Sequence, residues 1–248
     1  MENERNHSLH TTRGNILKNM VLAAFGLFLF GIGVYLTIQA NIGAAPWDAF
    51  NLGLSHTFGI KYGTASILVS FTVIAIDLLL KERIGIGTIF DAIIVGKTVD
   101  FCNWLHLIPA CSNIGMGLLT MFLGLFIMGF SQFIYMKAAL CCGPRDALLV
   151  ALGKRFRKIP IGAVSIAILI VVLAIGWRLG GPIGIGTIVA ALGTGPMMQM
   201  AFSLVKFKPI EVVHQDLIRT CKTLFFAKDA VQTEEESLGK DSIKEQDV

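Results

Sequence analysis

Residues 40–49, ANIGAAPWDA, interrupt a long hydrophobic run, and residues 138–147, AALCCGPRDA, repeat their pattern 98 residues further along the chain. In each copy a glycine precedes a proline, and an aspartate comes two residues after that proline. Proline is favoured in the first turn of a helix, and an aspartate there complements the helix dipole. The pattern therefore predicts that a long helix breaks and a short helix begins at Pro46 and again at Pro144.

The similarity between the two halves extends well beyond these breaks. Residues Ile84–Ile89 and Ile183–Ile188 share the sequence IGIGTI, and Gly26 and Gly31 match Gly124 and Gly129 upstream. A single inserted residue keeps the halves aligned between these segments. Such an internal duplication predicts two similar structural units related by a pseudo-two-fold axis.

The composition is that of a membrane protein. Of 248 residues, 54% are hydrophobic and 15% are charged, against about 25% charged in soluble domains. A helix needs roughly 20 apolar residues to cross a bilayer. The chain has no charged residue in residues 19–47, 101–136, 159–177 and 179–205. One soluble core could not enclose all four segments, so the sequence predicts an all-α integral membrane protein.

Each half contains three long apolar segments and one short segment. The long helices are expected over residues 21–40, 62–80, 84–107, 118–139, 161–177 and 183–205, and the short ones over 46–58 and 144–156. Thirteen helical residues cover only about 20 Å, less than the roughly 30 Å of the hydrocarbon core. The short helices are therefore predicted to be broken or re-entrant. The alternatives are that they span the membrane or lie at its interface.

Basic residues favour three spans in each half. With a cytoplasmic N-terminus, only Lys61 and Arg178 of the loop cations then fall outside. An odd number of spans inverts the second half, which gives an inverted 3+3 repeat with both termini in the cytoplasm. The predicted segments are a cytoplasmic N-terminus (1–18), membrane repeats (19–107 and 108–205), an amphipathic cytoplasmic helix (206–227) and an acidic disordered tail (228–248).

Carboxylates inside the membrane are the first candidates for a site. Asp48 and Asp146 are equivalent in the repeat and lie in the first turns of the short helices. They could serve only to cap those helices. Alternatively, two broken helices bring both carboxylates to one site, as in transporters with inverted repeats.

The third helix of the first half carries charges that the second half lacks. Asp91, Lys97 and Asp100 correspond to Ala190, Pro196 and Gln199. Because the shared skeleton does not need these charges, they are candidates for function. The alternative is a structural ion pair, since Lys97 and Asp100 are three residues apart on one helix.

Other residues complete the predicted set. Asn41, Trp47 and Arg145 adjoin the breaks and are further candidates for binding a substrate or ion. Helix breaking and close packing are the roles expected for Gly43, Pro46, Gly143, Pro144, Gly85, Gly87, Gly184 and Gly186. The sequence contains no catalytic set, metal-ligand spacing or cofactor motif, so neither an enzyme nor a metal site is expected.

The segment Asn41–Asp48 after the first helix, together with IGIGTI at the start of the last helix of each half, resembles the YitT/YczE-type family of bacterial multi-pass membrane proteins. The second copy departs from the first, with Arg145 in place of tryptophan. The resemblance implies a duplicated helical domain in a bacterial plasma membrane. It implies no activity and no catalytic residues.

Two functions follow from these patterns. The first is a small secondary transporter or permease for a small molecule or an ion, based on the repeat, the broken helices and the intramembrane carboxylates. The second is a membrane-embedded partner or assembly factor for another protein, engaged through residues 154–158 and the tail. The expected partners are the lipid bilayer and a small-molecule or ion substrate, and nucleic acid is not among them.

The topology prediction can be tested with single cysteines on a cysteine-free background. Position 61 should react with a membrane-impermeant maleimide from outside, whereas position 81 should react only after the membrane is permeabilised. Labelling of 81 but not 61 from outside would exclude three spans per half.

Overall fold

The computed structural model describes residues 13–82, 84–138, 143–156 and 159–205. These residues form helices joined by turns and short loops, and no strand occurs among them. In chain order, the eight helices of the described residues are α1 Arg13–Gln39, α2 Pro46–Phe58, α3 Tyr62–Leu79, α4 Ile86–Trp104, α5 Ile114–Lys137, α6 Pro144–Arg155, α7 Ile161–Arg178 and α8 Ile185–Leu204.

Five of these helices are long and apolar enough to cross a membrane, namely α1, α3, α5, α7 and α8. Helix α4 has 19 residues but contains three charged side chains, those of Asp91, Lys97 and Asp100. The prediction of an all-helical membrane protein is therefore confirmed. Helix α1 begins at Arg13, whereas the sequence predicted a start at residue 21. Hydrophobicity identifies the part of a helix that suits hydrocarbon, and it does not identify the first hydrogen-bonded turn.

The two short helices begin where the sequence predicts. Helices α2 and α6 each have proline in the first turn, followed by Asp48 or Asp146. Helix α2 ends at Phe58 and is capped by Gly59, whose φ of 63° is readily adopted by glycine. A helix of 13 or 12 residues is too short to cross a bilayer alone.

Helices α1 and α5 cross closely and run antiparallel. A Cβ built on Gly124 would lie 2.8 Å from the carbonyl oxygen of Gly33, and a Cβ on Gly33 would lie 2.9 Å from that of Gly124. On either side of the crossing, Gly26 meets Tyr135 and Gly117 meets Ala40. Small residues allow such backbone contact, which supplies the van der Waals packing that joins helices in lipid.

The remaining helices surround this pair. Helix α4 packs on α1 and α8 packs on α5, while α2 lies against α7 and α6 lies against α3. Gly31 of α1 abuts Thr98 of α4, and Gly129 of α5 abuts Met197 of α8. The buried side chains between these helices form the main hydrophobic cluster, which includes Leu27, Tyr35, Val99, Met121 and Leu125.

The break after α1 is tied to the start of α8 by backbone hydrogen bonds. The Ala44 amide donates to Pro182 O at 3.1 Å, and the Gly186 amide donates to Ile42 O at 2.8 Å. Gly43 has a φ of 111° and lies against Gly184, so a side chain at Gly43 would be both strained and obstructed. These contacts satisfy backbone groups that lipid could not hydrogen-bond.

Several predicted features lie outside the described residues. They are residues 1–12, Arg83, Cys141, Cys142, Arg157, Lys158, the predicted amphipathic helix and the predicted acidic tail.

We expect Gly124→Ala to lower the thermal stability of the protein in detergent. The added methyl group would meet the α1 backbone, and overpacking of this kind costs about 1–3 kcal/mol. The matched control is Gly115→Ala in the same helix, where no atom of the described residues lies within 4 Å of the new Cβ. Since alanine favours helix by up to about 1 kcal/mol, this control should be neutral or stabilising. Equal melting temperatures for the two variants would contradict the close crossing.

Candidate functional site

A cavity of about 230 Å³ lies among the helices where both short helices begin. Its wall combines apolar residues, mainly of α1, α5 and α8, with polar and charged residues, mainly of α2, α3, α4 and α6. The polar and aromatic side chains in this wall include Trp47, Asp48, Tyr62, Ser66, Ser70, Asp91, Gln132, Arg145 and Asp146. The cavity thus places charged and polar side chains in the interior of a bundle of apolar helices.

The first turns of α2 and α6 meet in this cavity. Asp48 Oδ1 accepts a hydrogen bond from the Tyr62 hydroxyl at 2.8 Å and lies 3.9 Å from an Arg145 guanidinium nitrogen. The same guanidinium lies over the Trp47 ring, 5.1 Å from its centroid, within the range of a cation–π interaction. Trp47 and Arg145, which occupy equivalent positions in the two repeat copies, are therefore in contact with each other.

Asp91 enters the cavity from α4. Its Oδ2 lies 3.0 Å from the position that a Cβ on Gly143 would take, directly before the first residue of α6. The free amides at a helix start attract negative charge, so this position suits a carboxylate. The absence of a side chain at Gly143 leaves the room that Asp91 occupies.

The three carboxylates differ in exposure. Asp48 is 3% exposed, Asp91 is half-buried and Asp146 is exposed. Exposure to solvent therefore increases from Asp48 through Asp91 to Asp146.

The charges in the cavity do not balance. Three carboxylates line it, whereas Arg145 is the one basic residue among the described residues that do so. A buried carboxylate is tolerated where a proton, a cation or a partner compensates it. The site is therefore suited to a positively charged ligand or to protons.

Helix α3 contributes polar residues to the cavity that were not predicted from the sequence. Tyr62, Ser66 and Ser70 are each at least 95% buried and line the cavity at intervals of four residues, which places them on one face of the helix. Their four-residue spacing could have indicated from the sequence alone that these polar residues share one face of a helix.

Other predicted residues lie away from the cavity. Lys97 is exposed on α4 and does not pair with Asp100, whose carboxylate accepts the Gly63 amide at 2.8 Å. Asn41 is also exposed, with a φ of 53°, and donates to the Cys111 carbonyl at 3.2 Å. The described part of the chain contains no group of three or more histidine, cysteine or acidic residues placed to hold a metal ion.

A second cavity, of about 770 Å³, adjoins the first, is almost wholly apolar and is open on one side, where its lining residues Leu68, Phe156 and Val171 are exposed. It lies between α3 and α7, and residues of α2 and α6 complete its wall. Trp47 lines both cavities. The Trp47 side chain is thus part of the wall of both cavities.

Residues 17–203 match the model of a family described as a family of unknown function, DUF6198. The chain belongs to this family. It is 30% identical to the uncharacterized membrane protein YczE of Bacillus subtilis over 178 residues, which is 71% of this chain and 81% of that protein. An uncharacterized protein of Haemophilus influenzae is 28% identical, covering 77% of this chain and 87% of that protein.

A third relative, the uncharacterized protein YyaS of Bacillus subtilis, is 29% identical over 73% of this chain and 90% of its own length. The resemblance to the YczE type is thus confirmed. No solved structure matches the chain. The DUF6198 match includes all the cavity residues named above and stops short of both termini.

We expect Asp48 and Arg145 to be energetically coupled. Arg145→Gln should lower the melting temperature in detergent, because it leaves three carboxylates without the guanidinium. Adding Asp48→Asn should restore part of the loss, with a coupling energy of about 0.5–3 kcal/mol. Arg155→Gln, an exposed position in the same helix, is the matched control and should have little effect. Strict additivity of the two cavity substitutions would show that the pair is not coupled.

Proposed function

We propose that this protein is a small secondary transporter whose substrate site is the polar cavity between the starts of α2 and α6. The observation that carries this proposal is the meeting of two broken helices from different halves at an acidic cavity, with Asp48 and Arg145 3.9 Å apart. Transporters with inverted repeats bind their substrates between such broken helices.

The packing of the helices supports an inverted duplication. Exchanging the first half with the second converts the α1–α4 contact into α5–α8, and the α2–α7 contact into α6–α3. It also converts the contact of Gly31 with α4 into that of Gly129 with α8. Helices α1 and α5, which correspond in the two halves, are antiparallel, as an inverted pair would be.

The contacts at the helix ends support the proposed topology. Lys154, near the end of α6, binds Glu82 after α3 at 2.8 Å, so these two ends share one side, assigned here to the cytoplasm. The Thr57 hydroxyl, near the end of α2, donates to Leu179 O after α7 at 3.0 Å, so Lys61 and Arg178 share the other side. We assign both termini to the cytoplasm and the protein to the bacterial plasma membrane.

The packing of the second long helix on the third differs between the two halves, and such a difference suits a transporter that alternates between two states. In the first half α3 and α4 are in contact, and a Cβ on Gly96 would lie 2.8 Å from Gly63 O. At the matching glycines of α7 and α8, Gly162 and Gly195, no described atom lies within 4 Å of a built Cβ. We expect a second state in which α7 closes on α8 while α3 separates from α4.

The excess of carboxylates favours cations as substrates. The assembly-factor alternative depended partly on residues 154–158, and of these Lys154 is already engaged by Glu82. A transporter is therefore the function that the geometry supports best.

Purified protein in proteoliposomes should produce a current on a solid-supported membrane when an organic cation is added. The panel would be guanidinium, tetramethylammonium and butyltrimethylammonium. Asp91→Asn should reduce the current at least about tenfold, a loss equivalent to about 1.4 kcal/mol or more, because it removes one charge from the cavity. Lys97→Gln, on the same helix but outside the cavity, should leave the current unchanged.

A second variant, Gly162→Leu, tests the proposed closure without changing the charges in the cavity. The side chain enters open space in this structure but would hinder closure of α7 on α8, so current should fall without loss of melting temperature. The proposal fails if folded wild-type protein gives no current with any of the three cations, or if Asp91→Asn conducts as the wild type does.

A further inference from the structure

The two cavities that share Trp47 have complementary chemistry. The smaller one contains three carboxylates and a single guanidinium among the described residues, together with the two buried serines Ser66 and Ser70. The larger one is lined by aliphatic and aromatic side chains, with Thr72 and the Trp47 indole as its polar contributors. A ligand that occupied both would need one charged end and one apolar end.

Arg145 indicates which charge the polar end would carry. Its guanidinium lies over the Trp47 ring at 5.1 Å and 3.9 Å from Asp48, so the cavity already holds a tethered cation on an aromatic face. Ammonium and guanidinium groups are recognised by this combination of ring and carboxylate. With Asp91 and Asp146 also present, a second cation can be accommodated, whereas an anion would meet repulsion.

The cavity volumes indicate that the apolar end of such a ligand is larger than its charged end. The apolar cavity, of about 770 Å³, is more than three times the size of the polar one, of about 230 Å³. One side is formed by α7, with Ala163, Ala167 and Val171 among its lining residues. These short side chains leave the space between α3 and α7 unfilled.

We propose that the substrate is an amphipathic organic cation, with its charged head among Asp48, Asp91 and Asp146 and its apolar portion between α3 and α7. Trp47 contacts both parts at the point where they join. This inference rests on the proposed function, since it assigns a chemical class to the substrate of the same site. The other possible occupant of the apolar cavity is an acyl chain of the bilayer.

Binding can be tested with protein in lipid nanodiscs by isothermal titration calorimetry, with empty nanodiscs as the blank. The probes are tetramethylammonium and the butyl, hexyl and octyl trimethylammonium ions, with octanesulfonate as the anionic counterpart. If the chain enters the apolar cavity, the affinity should rise by up to about fourfold per methylene. Octanesulfonate should not bind above the blank.

Two substitutions separate the head from the chain. Ala167→Trp fills the apolar cavity, so it should remove most of the gain with chain length while leaving tetramethylammonium binding unchanged. Ala174→Trp, on the same helix but outside the lining, is the matched control and should bind the whole series as the wild type does. Asp91→Asn should weaken every member of the cation series.

Failure of the inference is distinct from failure of the proposed function. If tetramethylammonium binds in an Asp91-dependent way but chain length adds nothing beyond the blank, bilayer lipid occupies the apolar cavity and the cation site stands alone. Binding of octanesulfonate as tight as that of octyltrimethylammonium would also overturn the inference. If no cation binds to folded protein, the site itself is misassigned and the proposed function falls with it.

Discussion

The architecture depends on how one break in a long helix satisfies its backbone. Peptide groups released from a helix within a membrane must find partners in the protein, because lipid provides none. The segment from Ile42 to Ala44 does so by exchanging hydrogen bonds with Pro182 and Gly186. This pairing fixes the start of α8 beside the break of the first half and requires glycine at both points of closest approach, Gly43 and Gly184. Because the break is held inside the protein, α2 begins in the interior rather than at the surface.

Starting a helix in the interior has an electrostatic consequence. The free amides of the first turn give each short helix a partial positive charge, and two such ends lie close together in the cavity. Asp48, Asp91 and Asp146 offset that charge, and Asp91 does so from a different helix by lying against Gly143. Arg145 and Tyr62 then hold Asp48 in place. Capping and ligand binding are thus compatible roles for the same carboxylates rather than alternatives.

The sequence predicted local features, such as where a helix begins, better than it predicted which helix faces pack together or face the cavity. The starts of α2 and α6 were predictable because proline, glycine and aspartate act within one helical turn. Asp91 and Lys97 are six residues apart, or about 120° around a helix, so their side chains cannot both point into one cavity. The sequence alone did not indicate which of them faces inward. The larger cavity was not predictable, because it depends on the separation of α3 and α7, which no local pattern encodes.

The antiparallel crossing of α1 and α5 has a consequence for biosynthesis. The glycine face of α1 can be covered only after α5 has left the ribosome, and Lys137 lies 98 residues beyond Gln39. At roughly 5–20 residues per second, the delay is on the order of 5–20 s. During that time α1 and the rest of the first half remain in the membrane without their main helix contact. Assembly is therefore expected to be late and to involve both halves at once, and a chain that stops before α5 would present an uncovered glycine surface to the quality-control proteases of the membrane.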